Sequence, residues 1–476
     1  MNSEVRSRPN ILWICSDQQR YDTIHRFGNS LIHTPNIDQI ADHGISFDQA
    51  YCQSPVCSPS RASFLTGRYP RNTGCRQNGQ TIHSTERLLP RILKDHGYRC
   101  GLAGKLHLSS CSEGKVEEKI DDGYDVFHWS HHPQPDWPEN AYQQWLASKN
   151  VSWEELLTSP EVGYVREGVP AEYHQTTWCA EMAIEFIRST TDQPWMFSVN
   201  MFDPHHPFDP PAEYLKRYRP EEMPLPKFQK ATLDQKPSYQ QLDHVWAHND
   251  VGGMRVDTIT PAESQRITAA YYAMVELIDD QVGRMIETLR ETGQLDNTIV
   301  IFMSDHGEML GDHGLYLKGP HFYEEAVHVP LCLQWNNGFQ KSRRSSALVE
   351  LTDLVPTLCE AVGIPLEEQF QGRSFLPLCV DDSPVDEHRD SVFCEYLNSW
   401  THEHSYATML RTNTHKIVVY HGVDEGELYD LESDPGEFVN LWSNPSAAQL
   451  KTDLMKQAFD RSVLSMDPLP KRRGKF

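Results

Sequence analysis

Short apolar runs that break off into polar, chemically capable residues recur along this chain. Asn10-Ile-Leu-Trp-Ile-Cys15 runs into Ser16-Asp17-Gln18, and Arg99-Cys-Gly-Leu-Ala-Gly104 runs into Lys105-Leu106-His107. Trp195-Met-Phe-Ser-Val-Asn-Met-Phe202 leads to Asp203-Pro204-His205, and Thr298-Ile-Val-Ile-Phe-Met303 leads to Ser304-Asp305-His306. Continuous apolar runs of this length suit strands buried on both faces. Between them, Leu88 to Gly97, Cys179 to Ile187 and Ile267 to Leu289 carry helical patterns. The alternation predicts an α/β fold with a mostly parallel central sheet flanked by helices. Ligands gather at the carboxyl ends of the strands in such sheets, so the polar residues after each run are expected to converge on one site.

Two stretches break the pattern. Residues 128 to 178 open on the aromatic and proline-rich His128-Trp-Ser-His-His-Pro-Gln-Pro-Asp-Trp-Pro138 and show no period, which predicts a long loop or lid. Residues 216 to 262 are similarly irregular. From about residue 385 short strands follow, Ala407 to Arg411 and Lys416 to Tyr420, then Glu427 to Gly436 and a closing helix. This reads as a catalytic domain over 1–384 and a small C-terminal α+β subdomain over 385–476.

Composition narrows the classes of function. The chain has 476 residues, 38% hydrophobic and 23% charged, which is globular composition with length for a sizeable core. Acidic residues outnumber basic ones 67 to 43, and the net charge of −24 repels nucleic acid and anionic membranes. The same field repels a long polyanion, so an anionic substrate is expected to be small and captured by local positive charge. Five apolar residues, Ile11 to Cys15, precede Asp17, too few for a signal-peptide core, and no run approaches the about 18 needed to cross a membrane. The expected location is therefore cytoplasmic, becoming periplasmic or secreted if an export signal has been removed. Eleven cysteines without a CxxC pair indicate neither a disulfide framework nor a zinc knuckle. Oligomeric state is not legible.

The sharpest local signal is Pro55-Val-Cys57-Ser58-Pro59-Ser60-Arg61-Ala-Ser-Phe-Leu-Thr-Gly67. Pro59 fits the first turn of a helix and Gly67 fits just past its end. Cys57 then sits at a helix N-terminus, where the dipole favours negative charge, with Arg61 one turn on. Only three residues separate Cys57 from Arg61, which disfavours a simple thiolate phosphatase. Taken by residue type alone, a cysteine in this position is most often a buried structural thiol.

The wider pattern resembles the signature of the sulfatase family, Cys-x-Pro-Ser-Arg followed by two residues, two apolars and Thr-Gly. Further landmarks resemble that family in the same order: Asn10 to Arg20, Thr34 to Asp38, Gly104 to His107, Pro204 to Pro207, Ser304 to Glu308, Leu317 to Gly319, Val329 to Leu331 and Leu428 to Glu437. The resemblance implies an alkaline-phosphatase-like fold and oxidation of Cys57 to formylglycine by a dedicated maturation enzyme. It also implies one divalent metal, most often calcium with manganese as the alternative, held by Asp17, Gln18, Asp305, His306 and the oxygen of modified Cys57. In the mechanism it implies, one hydroxyl of the hydrated aldehyde attacks sulfur and displaces the alcohol, and the other then loses its proton and expels sulfate. Arg61 and the metal stabilise developing charge, Lys105 and Lys318 grip the sulfate, His107 takes the elimination proton, and His205 protonates the leaving oxygen. His313 and His321 share a loop with Lys318 and are further candidates for substrate contact.

Four positions depart from the family pattern. Gln18 stands for a common second Asp, leaving two formal negative charges facing the cation instead of three, and is shared with phosphonate monoester hydrolase relatives. His306 replaces a frequent Asn, and its imidazole suits manganese or zinc better than calcium. Cys100 replaces a Ser or Thr, and Leu106 replaces an aromatic residue. The expected activity is hydrolysis of a sulfate monoester in an exo-type pocket, on a sulfated sugar or an aryl sulfate, with Trp129 and Trp137 placed to stack on the ring. Two rivals remain: a phosphonate monoester or phosphodiester hydrolase on the same scaffold, and a non-catalytic binder of sulfated ligands in which Cys57 stays unmodified.

Overall fold

The computed structural model describes residues 8–467 apart from 112–114, 135–136, 138, 190–192, 248–252, 381–385 and 399–404. The expected boundary at 384/385, and the N-terminal residues 1–7 that entered the reading of export, lie outside the described residues.

In chain order the strands are β1 (Asn10–Ser16), β2 (Ile45–Phe47), β3 (Ala50–Tyr51), β4 (Arg99–Gly104), β5 (Val126–Trp129), β6 (Trp195–Asn200) and β7 (Thr298–Ser304). They continue with β8 (Leu331–Gln334), β9 (Arg343–Ser345), β10 (Val349–Glu350), β11 (Ser391–Leu397), β12 (Tyr406–Thr412), β13 (His415–Tyr420) and β14 (Glu425–Asp430). Eight form one sheet in the order β5-β4-β6-β1-β7-β8-β2-β9, with β8 alone running antiparallel to its neighbours β7 and β2. The central sheet is thus mostly parallel.

The continuous apolar runs follow from burial on both faces of this sheet. Leu12 and Ile14 of β1 join Val300, Phe302, Phe197 and Val199 in a core that includes Trp178 and Val282 from the long helices Gln175–Arg188 and Pro261–Glu291. Ile11 and Trp13 turn the other way, onto Phe64 and Leu65 of helix Cys57–Thr66 and Leu354 and Leu358 of helix Leu354–Ala361. Each of these buried side chains contributes about 1.5–3 kcal/mol of transfer free energy.

Beyond the central sheet, β11 to β14 form a separate four-stranded antiparallel sheet. Helix Ala448–Leu464 lays Leu454 and Ala458 against Leu410, Ile417 and Leu428 on one face, while Cys394, Met409 and Val418 join the main core on the other. Arg389 and Arg461 converge on the buried Glu350, tying this subdomain to the central body.

The stretch 128–178 departs from the expectation of a structureless lid. It contains helices Ala141–Ser148 and Trp153–Leu156, the first capped by Asn140 and the second by a reciprocal Ser152–Glu155 box. Each is one or two turns long and is fixed by its cap, so no extended period is written in the sequence. Similarly, 216–262 contains helix Ser238–Val245. Among the described residues, no helix is long and apolar enough to cross a membrane.

Candidate active site

Strand register brings the distant polar residues together. Ser16 of β1 pairs with Ser304 of β7, so Asp17 and Asp305 leave the sheet side by side, and the Asp305 N–H donates to Ser16 O at 3.3 Å. Gly104 of β4 pairs with Asn200 of β6, which pairs through Cys15 with β1, and Lys105 emerges next to the same point. Helix Cys57–Thr66 presents its first residue there, and the Ser60 hydroxyl bonds Asp305 O at 2.6 Å.

Cys57, Asp17, Asp305 and His306 offer one ligand atom each, all within 4.8 Å of one another. Cys57 Sγ lies 3.1 Å from His306 Nε2 and 3.7 Å from Asp17 Oδ1. His306 Nδ1 donates to Gly307 O at 2.9 Å, which fixes the tautomer and leaves Nε2 facing the cluster. Two carboxylates, one imidazole whose Nε2 faces them, and residue 57 fit a divalent cation. Gln18 is held differently: its amide nitrogen bonds Glu308 and its Oε1 accepts from Lys318 Nζ.

Arg61, wholly buried, reaches Asp305 Oδ2 at 2.9 Å through Nε and Asp17 Oδ2 at 3.1 Å through one terminal nitrogen. Its other terminal nitrogen donates to Lys105 O at 2.8 Å. The guanidinium therefore clamps the two carboxylates. Lys105 Nζ adds a 2.5 Å bond to Asp17 Oδ2. Burial opposes ionisation of Asp17, yet Lys105 and Arg61 hold it well below the usual carboxylate range. Burial and Asp17 push the Cys57 thiol up, but Lys105, Lys318 and His306 outweigh them and bring it down to about 7. Residue 57 thus faces charged partners rather than purely apolar packing.

Left-handed backbone marks the rim: Gln18, His107 and Leu317 have φ of 67°, 59° and 62°. Such non-glycine conformations cost of order 1–3 kcal/mol each and concentrate at functional sites. Buried carboxylates hold them. Glu308 accepts from Gln18 and from the Leu310 and Leu317 N–H groups, and Glu117 accepts from the His107 and Ser109 N–H groups at 2.8 and 3.0 Å.

His107 is 7% exposed, and its ring meets His131 edge-on with centroids 4.4 Å apart. Burial first, then His131 and Lys105, hold its imidazole well below the ordinary range, so it is neutral. His205 is likewise neutral, through burial and then Lys318, and its Nδ1 faces His206 O at 2.6 Å. His313 and His321 turn elsewhere. His313 stacks on Tyr323 and faces Lys236 Nζ at 3.1 Å, and His321 pairs with Asp243 at 2.8 Å. Trp129 is buried with Nε1 bonded to Glu117 at 3.0 Å, so it packs the floor instead of offering a face to a ring. Trp137 packs against Trp129, His131 and His132.

The family profile described as Sulfatase matches residues 9–364, and one described as N-sulphoglucosamine sulphohydrolase, C-terminal, matches residues 311–463. The chain belongs to the sulfatase family and is a sulfuric ester hydrolase. It is 29% identical to an arylsulfatase of Clostridium perfringens, covering 91% of this chain and 90% of that one. It is 26% identical to an N-acetylglucosamine-6-O-sulfatase of Bacteroides thetaiotaomicron over 95% and 86% of the two chains. In three dimensions it resembles the phosphonate monoester hydrolase of Agrobacterium radiobacter, with a TM-score of 0.86 at 24% identity over 97% of both chains. The family implies a divalent metal and formylglycine.

Proposed function

We propose that the chain hydrolyses small sulfate monoesters of a sugar or aryl alcohol, with residue 57 acting as formylglycine after modification by a maturation enzyme. The observation that carries this reading is the convergence of Cys57, Asp17, Asp305 and His306 with Lys105 and Lys318. The bound cation would neutralise charge on the sulfuryl oxygens and acidify the nucleophilic hydroxyl. Asp17, Asp305 and His306 would hold it, with Gln18 at the rim. Carboxylate oxygens suit calcium, and the imidazole extends the choice to manganese.

The remaining roles belong to this chain's own side chains. Arg61 fixes both carboxylates. Lys105 and Lys318 bind the sulfuryl oxygens, moving from Asp17 and Gln18 onto the substrate. Neutral His107 accepts a proton from residue 57 in the second half of the reaction. His205 delivers a proton to the leaving oxygen, and the anionic substrate beside it opposes the burial that keeps it neutral. The named sulfatase relatives support both alcohol classes.

Replacement of a second acidic ligand by Gln18 favours the alternative of a phosphonate monoester or phosphodiester substrate. Modified protein assayed in parallel on matched aryl sulfate and aryl phosphonate esters separates the readings. Sulfate hydrolysis with the higher kcat/KM is expected, and a higher value for the phosphonate would overturn it. Binding of a sulfated ligand without turnover of either ester by fully modified protein would instead identify a binding protein.

A further inference from the structure

One group of metal-ligating side chains lies beside the reaction centre but shares no residue with the cluster around Cys57. His107, Cys111 and His131 offer one ligand atom each, all within 4.8 Å of one another. Topology puts them there. Parallel β4 and β5 pair Gly104 with Trp129, so the residues following both strands rise together. Glu117 bridges the two strand ends, accepting from the His107 N–H at 2.8 Å and from Trp129 Nε1 at 3.0 Å. The imidazoles meet at 77°, with centroids 4.4 Å apart.

Two further observations point to a ligand. Among the described residues, buried His107 Nδ1 and His131 Nδ1 have no hydrogen-bond partner, and an unmet buried donor or acceptor costs about 1–3 kcal/mol. The set, two imidazoles and a thiol without a carboxylate, is soft: it suits zinc and its neighbours and is poor for calcium or magnesium. Tetrahedral zinc, with bonds of about 2.0–2.3 Å, holds its ligand atoms about 3.3–3.7 Å apart. Three protein ligands at that spacing leave a fourth position for water or a substrate oxygen.

We infer that His107, Cys111 and His131 form a second cation site, for a thiophilic divalent ion of the zinc class, whose occupation withdraws His107 from proton transfer. On binding, the Cys111 thiol gives its proton to solvent and a sulfur–metal bond replaces the S–H bond, with no redox change. The inhibitory consequence rests on the role proposed for His107. Binding itself does not.

The test uses the modified, calcium- or manganese-loaded protein. Zinc chloride is titrated into the wild type and the Cys111→Ser and His131→Gln variants. Metal retained after desalting is counted, and cobalt(II) is substituted to reveal a thiolate charge-transfer band. The wild type should retain one equivalent more zinc than either variant, with a cobalt–thiolate band that loses its Cys111-dependent part in Cys111→Ser. Cys111→Ser, with zinc-free activity equal to the wild type, should need at least tenfold more zinc for half-inhibition. Equal retention and equal inhibition in all three proteins would overturn the site and assign the inhibition to exchange of the resident ion. If the wild type held the extra zinc with a Cys111-dependent band but cleaved no sulfate ester, the site would stand and the proposed function would fall.

Discussion

Replacing Glu117 by Gln tests how the chain holds its proton acceptor. Four N–H groups converge on this buried carboxylate: those of His107, Leu108 and Ser109, and the indole of Trp129. Burial raises the Glu117 pKa and these N–H bonds oppose it, and a site of four donors accommodates only the ionised, acceptor-only form. Either orientation of a glutamine amide turns an NH2 group toward two of those donors. At about 1–3 kcal/mol for each buried donor left unmet, the cost is about 2–6 kcal/mol. Relaxation would release His107 from its φ of 59° and displace its ring. A displacement of about 1 Å at a catalytic group costs on the order of 100-fold in rate. Lys105 bonds Asp17 and Lys318 bonds Gln18, so the loss should fall on kcat with KM little changed. Steady-state kinetics on an aryl sulfate with urea unfolding of the same preparation measures both effects. An unchanged kcat, or a loss confined to KM, would refute the positioning role.

Three other outcomes follow from the same geometry. Arg61→Met leaves Asp17 and Asp305 buried without their clamp, so chelated protein should lose about 3–5 kcal/mol, and saturating divalent metal should restore part of it; urea midpoints with and without metal read this, and an unchanged midpoint would contradict it. His205→Ala should lower kcat by about 100- to 10,000-fold on a sugar sulfate but far less on 4-nitrophenyl sulfate, whose leaving oxygen needs no proton; equal losses on both would remove the general-acid role. Stability of chelated protein should fall as pH drops from 6.5 to 5. His107, His131 and His205 stay neutral when folded but gain protons when unfolded, each removing about 2 kcal/mol over that interval. His306 offsets little of this: its folded-state pKa, lowered by burial but raised overall by Asp305 to about 9, keeps it protonated when folded while the unfolded imidazole goes from half to nearly fully protonated, which returns only about 0.4 kcal/mol. Urea midpoints at the two pH values check the sign, and a midpoint equal or higher at pH 5 would contradict it.

The sequence exposed the elements whose burial is complete. β1, β4, β6 and β7 are covered on both faces, so their apolar runs are unbroken and end where the site begins. Strands β2, β3, β8, β9 and β10 escaped notice because runs of two to four residues acquire identity only by pairing, as Ile45 does with Leu333 and Phe302 with Cys332. The polar residues ending the long strands were legible for the same reason their convergence was: parallel register carries them to one edge. The supports were not. Nothing in the sequence singles out Glu117, and Glu308 stands there only as the end of the Ser304–Glu308 landmark; their partners, mostly backbone N–H groups, come into view with the fold. Trp129 looked available to a sugar or aryl ring, but its indole N–H is committed to Glu117.

The most direct test of the central claim is a peptide-mass measurement across residue 57 on protein made in a host with the maturation enzyme, paired with sulfate release by the same preparations. The account predicts formylglycine at that position and a turnover rate proportional to the fraction converted, with Cys57→Ala inactive. Full activity from protein carrying an unaltered Cys57 thiol, or from Cys57→Ala, would contradict it.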